Sequence, residues 1–521
     1  MTAASERMLA AAPAHPRWSQ VVVCTVNNVT VTEIADFGAI LLLVTAGFTL
    51  AVLSTKLTER VPLPAPAIFL VAAAFASDLW PGIYEHVPIR TVERVAVVAL
   101  IVILLNGGID IGWRRFRAVA APIVLLGVFG TFATAAVVAV FAHYALGFDW
   151  ILAGLVGAAV SPTDPAVLFS VLGRREIAGR AVAALEGEAG VNDPAGIALM
   201  VGMIELAAHD DASSFVVVRE FVVEIGVGAA AGLAGAFLLV PLLRRVRLPS
   251  GSLYPVLALA LAGALYGATS LAHGSGFLAV FVAGLFVGDA RLPYKGEIER
   301  FHGSLAALAE LVVFVALGLT VSFGSLSARV WLEGILIALV LALVARPVVV
   351  SVALYKARFR WKERAFIAWS GLKGAVPILL AAFAVLGGVE DAQRVYGIVF
   401  VVVLVSVVGQ GTLIPLVARR LGIPVRDRIS LPWQFSVDLA HEPEGALEFT
   451  VAAGSRSEGK EIRSLPLSER AWVTLVVRDG AAVQPSGSLA LRAGDRIFVL
   501  AEQEDEEALS HVFERDVRRA R

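Results

Sequence analysis

ILAGLVGAAVSPTDPAVLFSVL, residues 151–172, reads as one apolar segment with a polar break at its centre. Apolar runs of about 18 residues or more read as membrane-spanning helices. Pro162 and Pro165 each remove a backbone donor and disfavour helix at the residue before them. Backbone at membrane depth unwinds only where it faces protein or water. The carbonyls released around Ser161-Pro162-Thr163-Asp164-Pro165, with the Thr163 hydroxyl, are oxygen ligands suited to an alkali cation. Asp164 fits equally well as the cap of the half-helix that restarts at Pro165.

The same theme recurs at Gly371-Leu372-Lys373-Gly374-Ala375-Val376-Pro377, two glycines and a proline around one cation. Working outward, the chain divides into thirteen apolar segments. They lie near 37–55, 64–80, 93–111, 118–145, 150–172, 183–208, 218–243, 252–272, 276–289, 303–323, 330–355, 364–387 and 395–418. The broken segments are the fifth and the twelfth. That offset is odd, so they cross the membrane in opposite directions. Broken segments at corresponding positions of two inverted halves point to a transporter's midplane site. Lys373 lies inside its apolar run, which argues against a lysine snorkelling to the surface.

Composition agrees with a polytopic membrane protein. Of 521 residues 58% are hydrophobic and 17% charged, with a mean hydropathy of +0.79, whereas soluble chains carry about 45–50% apolar and about 25% charged residues. The net charge of −1 implies no bulk attraction to nucleic acid. Cys24 is the one cysteine, which excludes a disulfide framework, a CxxC pair and a thiolate zinc cluster. Loops after odd-numbered segments hold nineteen Lys and Arg, against four (Arg90, Arg219, Arg329, Arg394) after even-numbered ones. Basic loops favour the cytoplasmic side, so the N-terminus is expected outside and everything beyond residue 420 in the cytoplasm. Residues 1–36 lack the pattern of a cleavable signal peptide. After a linker at 421–433, residues 434–521 alternate in short strands at Leu447–Ala452, Trp472–Val477 and Arg496–Leu500. Turns at Arg478-Asp479-Gly480 and Ala493-Gly494-Asp495 make this a small α+β domain. The expected transport domain is 37–420.

Ionisable groups inside spanning helices are functional candidates by default. The richest cluster is Glu186-Gly187-Glu188-Ala189-Gly190-Val191-Asn192-Asp193-Pro194 in the sixth segment. Glu188 and Asn192 share a helix face, and Asp193 points about 100° away from Asn192. Pro194 is expected to loosen the helix there. Arg346 and Glu310 are candidates to form a second ion pair with each other or to pair with the site, and Asn106 precedes Gly107-Gly108 at the end of the third segment. Each of these fits a helix-to-helix contact as well as a transport role. Neither a His-Glu-x-x-His motif nor a P-loop occurs, which argues against a membrane zinc protease and against ATP-driven pumping.

Taken in order, Ser161-Pro162-Thr163-Asp164, Glu188-(x)3-Asn192-Asp193, Gly371–Pro377 and Gln410-Gly411-Thr412 resemble the monovalent cation:proton antiporters, in their NhaP-type potassium/proton branch. The tail, with Arg478-Asp479-Gly480, Pro485 and Leu491–Asp495, is similar to the TrkA-C domain of potassium-conductance regulators. The resemblance implies the Na+/H+ antiporter fold: all-α, with inverted repeats and two crossing discontinuous helices. It also implies a homodimer in the cytoplasmic (inner) membrane that works by elevator-like alternating access. Asp193 is then the carboxylate that binds H+ and the transported K+ or Na+, completed by Thr163 and its neighbouring carbonyls. Asn192 is the neutral partner that marks electroneutral exchangers, and Lys373 the cation that balances Glu188. No resident cofactor is implied; the tail is expected to take a small regulatory ligand, a nucleotide or cyclic dinucleotide. The chain departs from the family pattern in carrying Lys373 for arginine, Ala189 for serine, Asn106 for an acid and Glu310 for an amide.

The residues themselves suggest competition for one carboxylate with obligatory exchange; with Lys373 cancelling Glu188, as the resemblance implies, one cation is expected per proton. The rival readings are a passive K+ channel or uniporter and an ion sensor with a ligand-gated tail. The chain lacks a Thr-Val-Gly-Tyr-Gly-like filter.

Overall fold

The structure is a computed structural model. It describes residues 64–79, 88–172, 175–177, 180–209, 215–357, 359–423, 425–427, 445–468, 471–501 and 505–514, with isolated positions before residue 64. The expected first segment at 37–55 lies outside these apart from four positions. Each of the other twelve overlaps a helix or a pair of helices.

In chain order these are α1 (Ala65–Leu79), α2 (Ile89–Ala118), α3 (Ala120–Leu146), α4 (Trp150–Val160), α5 (Pro165–Leu172), strand β1 (Arg175–Ile177), α6 (Arg180–Ala208) and α7 (Phe215–Arg245). Then come α8 (Leu253–Leu271), α9 (Gly276–Asp289), α10 (Lys295–Leu319), α11 (Ala328–Ala353), α12 (Trp361–Trp369), α13 (Ala375–Leu386), α14 (Ala392–Gln410) and α15 (Ile414–Leu421). Among the described residues, eight helices are long and apolar enough to cross a membrane, and α1, α4, α9 and α13 are shorter apolar helices.

Local sequence sets several of the boundaries. Asp149, Ser275 and Ser327 stand at helix starts, and each side chain accepts the backbone N–H three residues on, at Leu152, Leu278 and Val330. Helices α2 and α9 meet backbone to backbone: a Cβ on Gly108 would lie 2.5 Å from the Phe281 carbonyl oxygen, so the approach needs glycine. Below that contact α2 bends at Gly112 (φ +67°), where the Asp289 carboxylate accepts the Arg114 N–H at 2.6 Å.

Polarity is distributed as lipid demands. Phe237 is 72% exposed and Leu343 60%, whereas Glu188 is 1% and Arg346 4% exposed. Apolar faces point outward and the charges sit within, which is a membrane bundle rather than a soluble one.

Two regular irregularities relate the halves. The fifth segment is broken between α4 and α5, and the twelfth between α12 and α13. The same offset of seven segments relates a π turn at Leu125–Phe129 in α3 to one at Leu341–Ala345 in α11. A further π turn, Val405–Gln410, ends α14. Such turns commonly accompany functional sites. By contrast, α6 runs unbroken through Pro194, where a loosened helix was expected. A proline in a spanning helix is tolerated where neighbouring helices cover the released backbone, and Pro194 is buried.

Past α15, strand β2 (Val425–Asp427) pairs antiparallel with β1, so the chain leaving the bundle is stitched to the segment that follows α5. The tail forms a four-stranded antiparallel sheet in the order β3–β6–β4–β5, from Gly445–Thr450 (β3), Trp472–Arg478 (β4), Ala481–Val483 (β5) and Arg496–Ala501 (β6). Helix α16 (Glu506–Phe513) follows, and Phe513 stacks on Phe449 with ring centroids 5.4 Å apart. Asp495 accepts two hydrogen bonds from Arg478 and one from the Arg492 N–H, tying the turn before β6 to the end of β4. The Arg478 hydrogen bonds hold the Asp495 carboxyl below the ordinary carboxylate range.

Candidate ion site

Both broken helices bring unwound backbone to the same place. Residues 161–164 and 371–374 are non-helical, and the Asp164 N–H donates to the Leu372 carbonyl at 2.8 Å. The crossing is tight enough to dictate composition. A Cβ on Gly374 would fall 1.8 Å from Asp164 Oδ2, and one on Gly371 2.4 Å from Arg346 Nε.

Into this crossing α6 presents Glu188, Asn192 and Asp193, all buried. Arg346 grips Glu188 with both ends of its guanidinium, Nη1 to Oε1 at 2.5 Å and Nη2 to Oε2 at 2.7 Å. The Thr163 hydroxyl donates to Glu188 Oε1 at 3.3 Å and accepts from Asn192 Nδ2 at 2.7 Å. The same Asn192 nitrogen also reaches the Thr163 carbonyl at 3.4 Å. Asn192 therefore serves as a clasp between α6 and the broken helix.

Lys373 works elsewhere. Its Nζ donates to the carbonyls of Ser161 and Pro162, 2.9 Å each, and its backbone N–H donates to Ser406 Oγ at 3.0 Å. Two expectations are corrected here. Glu188 is balanced by Arg346 on α11 rather than by Lys373, and Arg346 is consequently not the partner of Glu310. The cause lies in position: Lys373 sits on the stretch that crosses 161–164, so its arm ends at those carbonyls. Arg346 follows the π turn of α11, and its guanidinium reaches α6. The carbonyls of Ser161 and Pro162, expected as cation ligands, are occupied by an ammonium group. The Thr163 hydroxyl is engaged as both donor and acceptor.

Asp193 points away from this clasp, as its offset along the helix requires. Its Oδ1 is buried without a hydrogen-bond partner among the described residues. It lines a cavity of about 40 Å3 together with Asp164 and Glu310, between apolar walls that include Leu100, Phe314 and Val376. Such a space holds an ion or water rather than a side chain. Asn106 donates to Asp110, one turn on, at 2.7 Å. Ser406 and the Gln410 that bonds the Trp369 carbonyl at 2.5 Å complete the support beneath Lys373. Ser406 was missed in the sequence; its signal was a lone hydroxyl in the run Val401–Gly409.

The site thus separates into a neutralised clasp (Glu188, Arg346, Thr163, Asn192) and an acid-lined cavity at Asp193. Crossed broken helices around such a cavity, inside a bundle with apolar outer faces, define a polytopic ion transporter. The model of the sodium/hydrogen exchanger transmembrane domain matches residues 25–420, and that of the TrkA-C domain residues 446–514. The chain is 32% identical over 470 residues to the K(+)/H(+) antiporter NhaP of Alkalimonas amylolytica, covering 89% of this chain and 82% of that one. It is equally similar to the K(+)/H(+) antiporter NhaP2 of Shewanella sp. (strain ANA-3), at 32% over 89% and 81%. Among solved structures, the sodium proton antiporter MjNhaP1 of Methanocaldococcus jannaschii aligns with a TM-score of 0.62 at 23% identity, over 72% of this chain and 97% of that one. The fold is that of the Na+/H+ antiporters. The chain belongs to the sodium/hydrogen exchanger family and carries a C-terminal TrkA-C domain.

Proposed function

We propose that this protein is a secondary antiporter that exchanges a monovalent cation, K+ in preference to Na+, for H+ across the cytoplasmic membrane. The observation that carries the reading is Asp193: 7% exposed, with Oδ1 unpartnered among the described residues and facing a cavity, while neighbouring Glu188 is fully paired. The K(+)/H(+) relatives at 32% identity support K+ as the cargo.

Exchange follows from electrostatics. A proton or an alkali ion on Asp193 neutralises it; an empty carboxylate moved through a low-dielectric barrier carries uncompensated charge, which is costly. Only the occupied site then crosses, and the two cargoes alternate. Glu188 is neutralised by Arg346, and with Asp193 as the carboxylate that alternates between the two cargoes the exchange runs one cation per proton. The chain works as a homodimer by elevator-like movement, with its N-terminus outside and its tail in the cytoplasm. There residues 434–521 take a regulatory ligand of the nucleotide or cyclic dinucleotide class, and residues 37–420 carry transport in pH and cation homeostasis.

Reconstituted vesicles made acid inside test this. Antiport accumulates radioactive Rb+ or K+ above the external concentration as protons leave. Uptake that stops at equal concentrations and follows membrane potential alone identifies a passive channel and rejects the proposal.

A further inference from the structure

Glu310 has no task in the exchange just described. It stands on α10, and its expected partner Arg346 is taken by Glu188. Its Oε1 is buried and lacks a hydrogen-bond partner among the described residues, as does Asp193 Oδ1. Both carboxylates line the one cavity of about 40 Å3. Buried polar atoms are normally paired with protein, water or a bound ion, and no protein donor among the described residues reaches this oxygen. Two unpaired acid oxygens facing one space with largely apolar walls instead suit a partly hydrated cation. Among the described residues no three acidic or histidine groups converge closely enough to hold one metal ion together. The cavity thus presents these two carboxylates rather than a closed three-ligand cage.

We propose that Glu310 is a second cation-binding carboxylate, which receives the alkali ion within the cavity and passes it to Asp193. Its charge raises the local cation concentration at Asp193, as acid-lined clefts with low-dielectric walls do. The inference rests on the exchange reading, and its test separates the two.

Proton-driven Rb+ or K+ uptake by the unaltered protein tests exchange itself. In Glu310→Gln, which keeps shape and removes charge, the apparent KM for K+ rises about tenfold while Vmax stays near that of the parent. Glu310→Asp, which keeps the charge, gives a KM between the two. A Glu310→Gln protein with the parent KM, or a Glu310→Asp protein as impaired as Glu310→Gln, overturns the proposal while leaving exchange intact. Where Glu310→Gln yields no folded protein, Asp193→Asn decides. K+ must still raise the melting temperature of that variant through Glu310, and the absence of any K+-dependent shift overturns the second station.

Discussion

The pairing of Glu188 gives the sharpest mutational prediction. Arg346 meets this carboxylate through two charge-assisted hydrogen bonds, with the two side chains 5% and 1% exposed. Removing one partner of such a buried pair strands the other and costs about 3–5 kcal/mol, whereas removing both costs far less. Arg346→Gln is therefore expected to lose about 3–5 kcal/mol. Adding Glu188→Gln to it should recover part of that, through a coupling energy above about 1 kcal/mol. Lys373 touches carbonyls rather than Glu188. In Lys373→Gln the same second change should recover less by at least about 1 kcal/mol. Reversible unfolding with SDS in mixed micelles measures all the variants on one scale. If Glu188→Gln rescues Lys373→Gln more than it rescues Arg346→Gln, the assignment of the pair is wrong.

Gly374→Ala places a Cβ 1.8 Å from Asp164 Oδ2; overpacking of this kind costs about 1–3 kcal/mol and should abolish dye-reported exchange, so parent-like rates would contradict the crossing geometry. Thr163→Val removes the hydroxyl that bridges Asn192 and Glu188; it should lower stability by about 1–3 kcal/mol in the same SDS titration, and Thr163→Ser should restore most of it. In the tail, the Asp495 carboxyl titrates below its unfolded value, so its stabilisation is present above the unfolded value and disappears as pH falls through the folded one. Hydrogen exchange of the 472–501 peptides in the intact protein should accelerate over that acid range and, in Asp495→Asn, be fast already at neutral pH.

Much of the architecture was legible because its signals are local. Apolar length marked the helices, and Pro162, Pro165, Gly371, Gly374 and Pro377 marked the two breaks. Helical geometry also placed Asn192 and Asp193 on different faces, which is how one comes to be a clasp and the other a cavity wall. Partner choice was not legible. Whether Arg346 or Lys373 reaches Glu188 depends on how α11 and the 371–374 stretch stack against α6. The π turn at Leu341–Ala345 that precedes Arg346 carries no compositional mark. Whether Glu310 meets Arg346 or the site was open for the same reason: a helix position gives a side chain's direction only once its neighbours are known. The carbonyls of the broken helix were recognised as exposed ligands, yet nothing in the sequence indicated that a lysine from the other break would fill them.

Competition between H+ and the cation at Asp193 is the central claim, and the apparent KM for K+ measured against pH tests it most directly. The account predicts that the KM rises in proportion to proton concentration on the acid side while Vmax holds, and that Asp193→Asn shows no exchange at any pH. A KM independent of pH, or proton-coupled K+ flux surviving in Asp193→Asn, would contradict it.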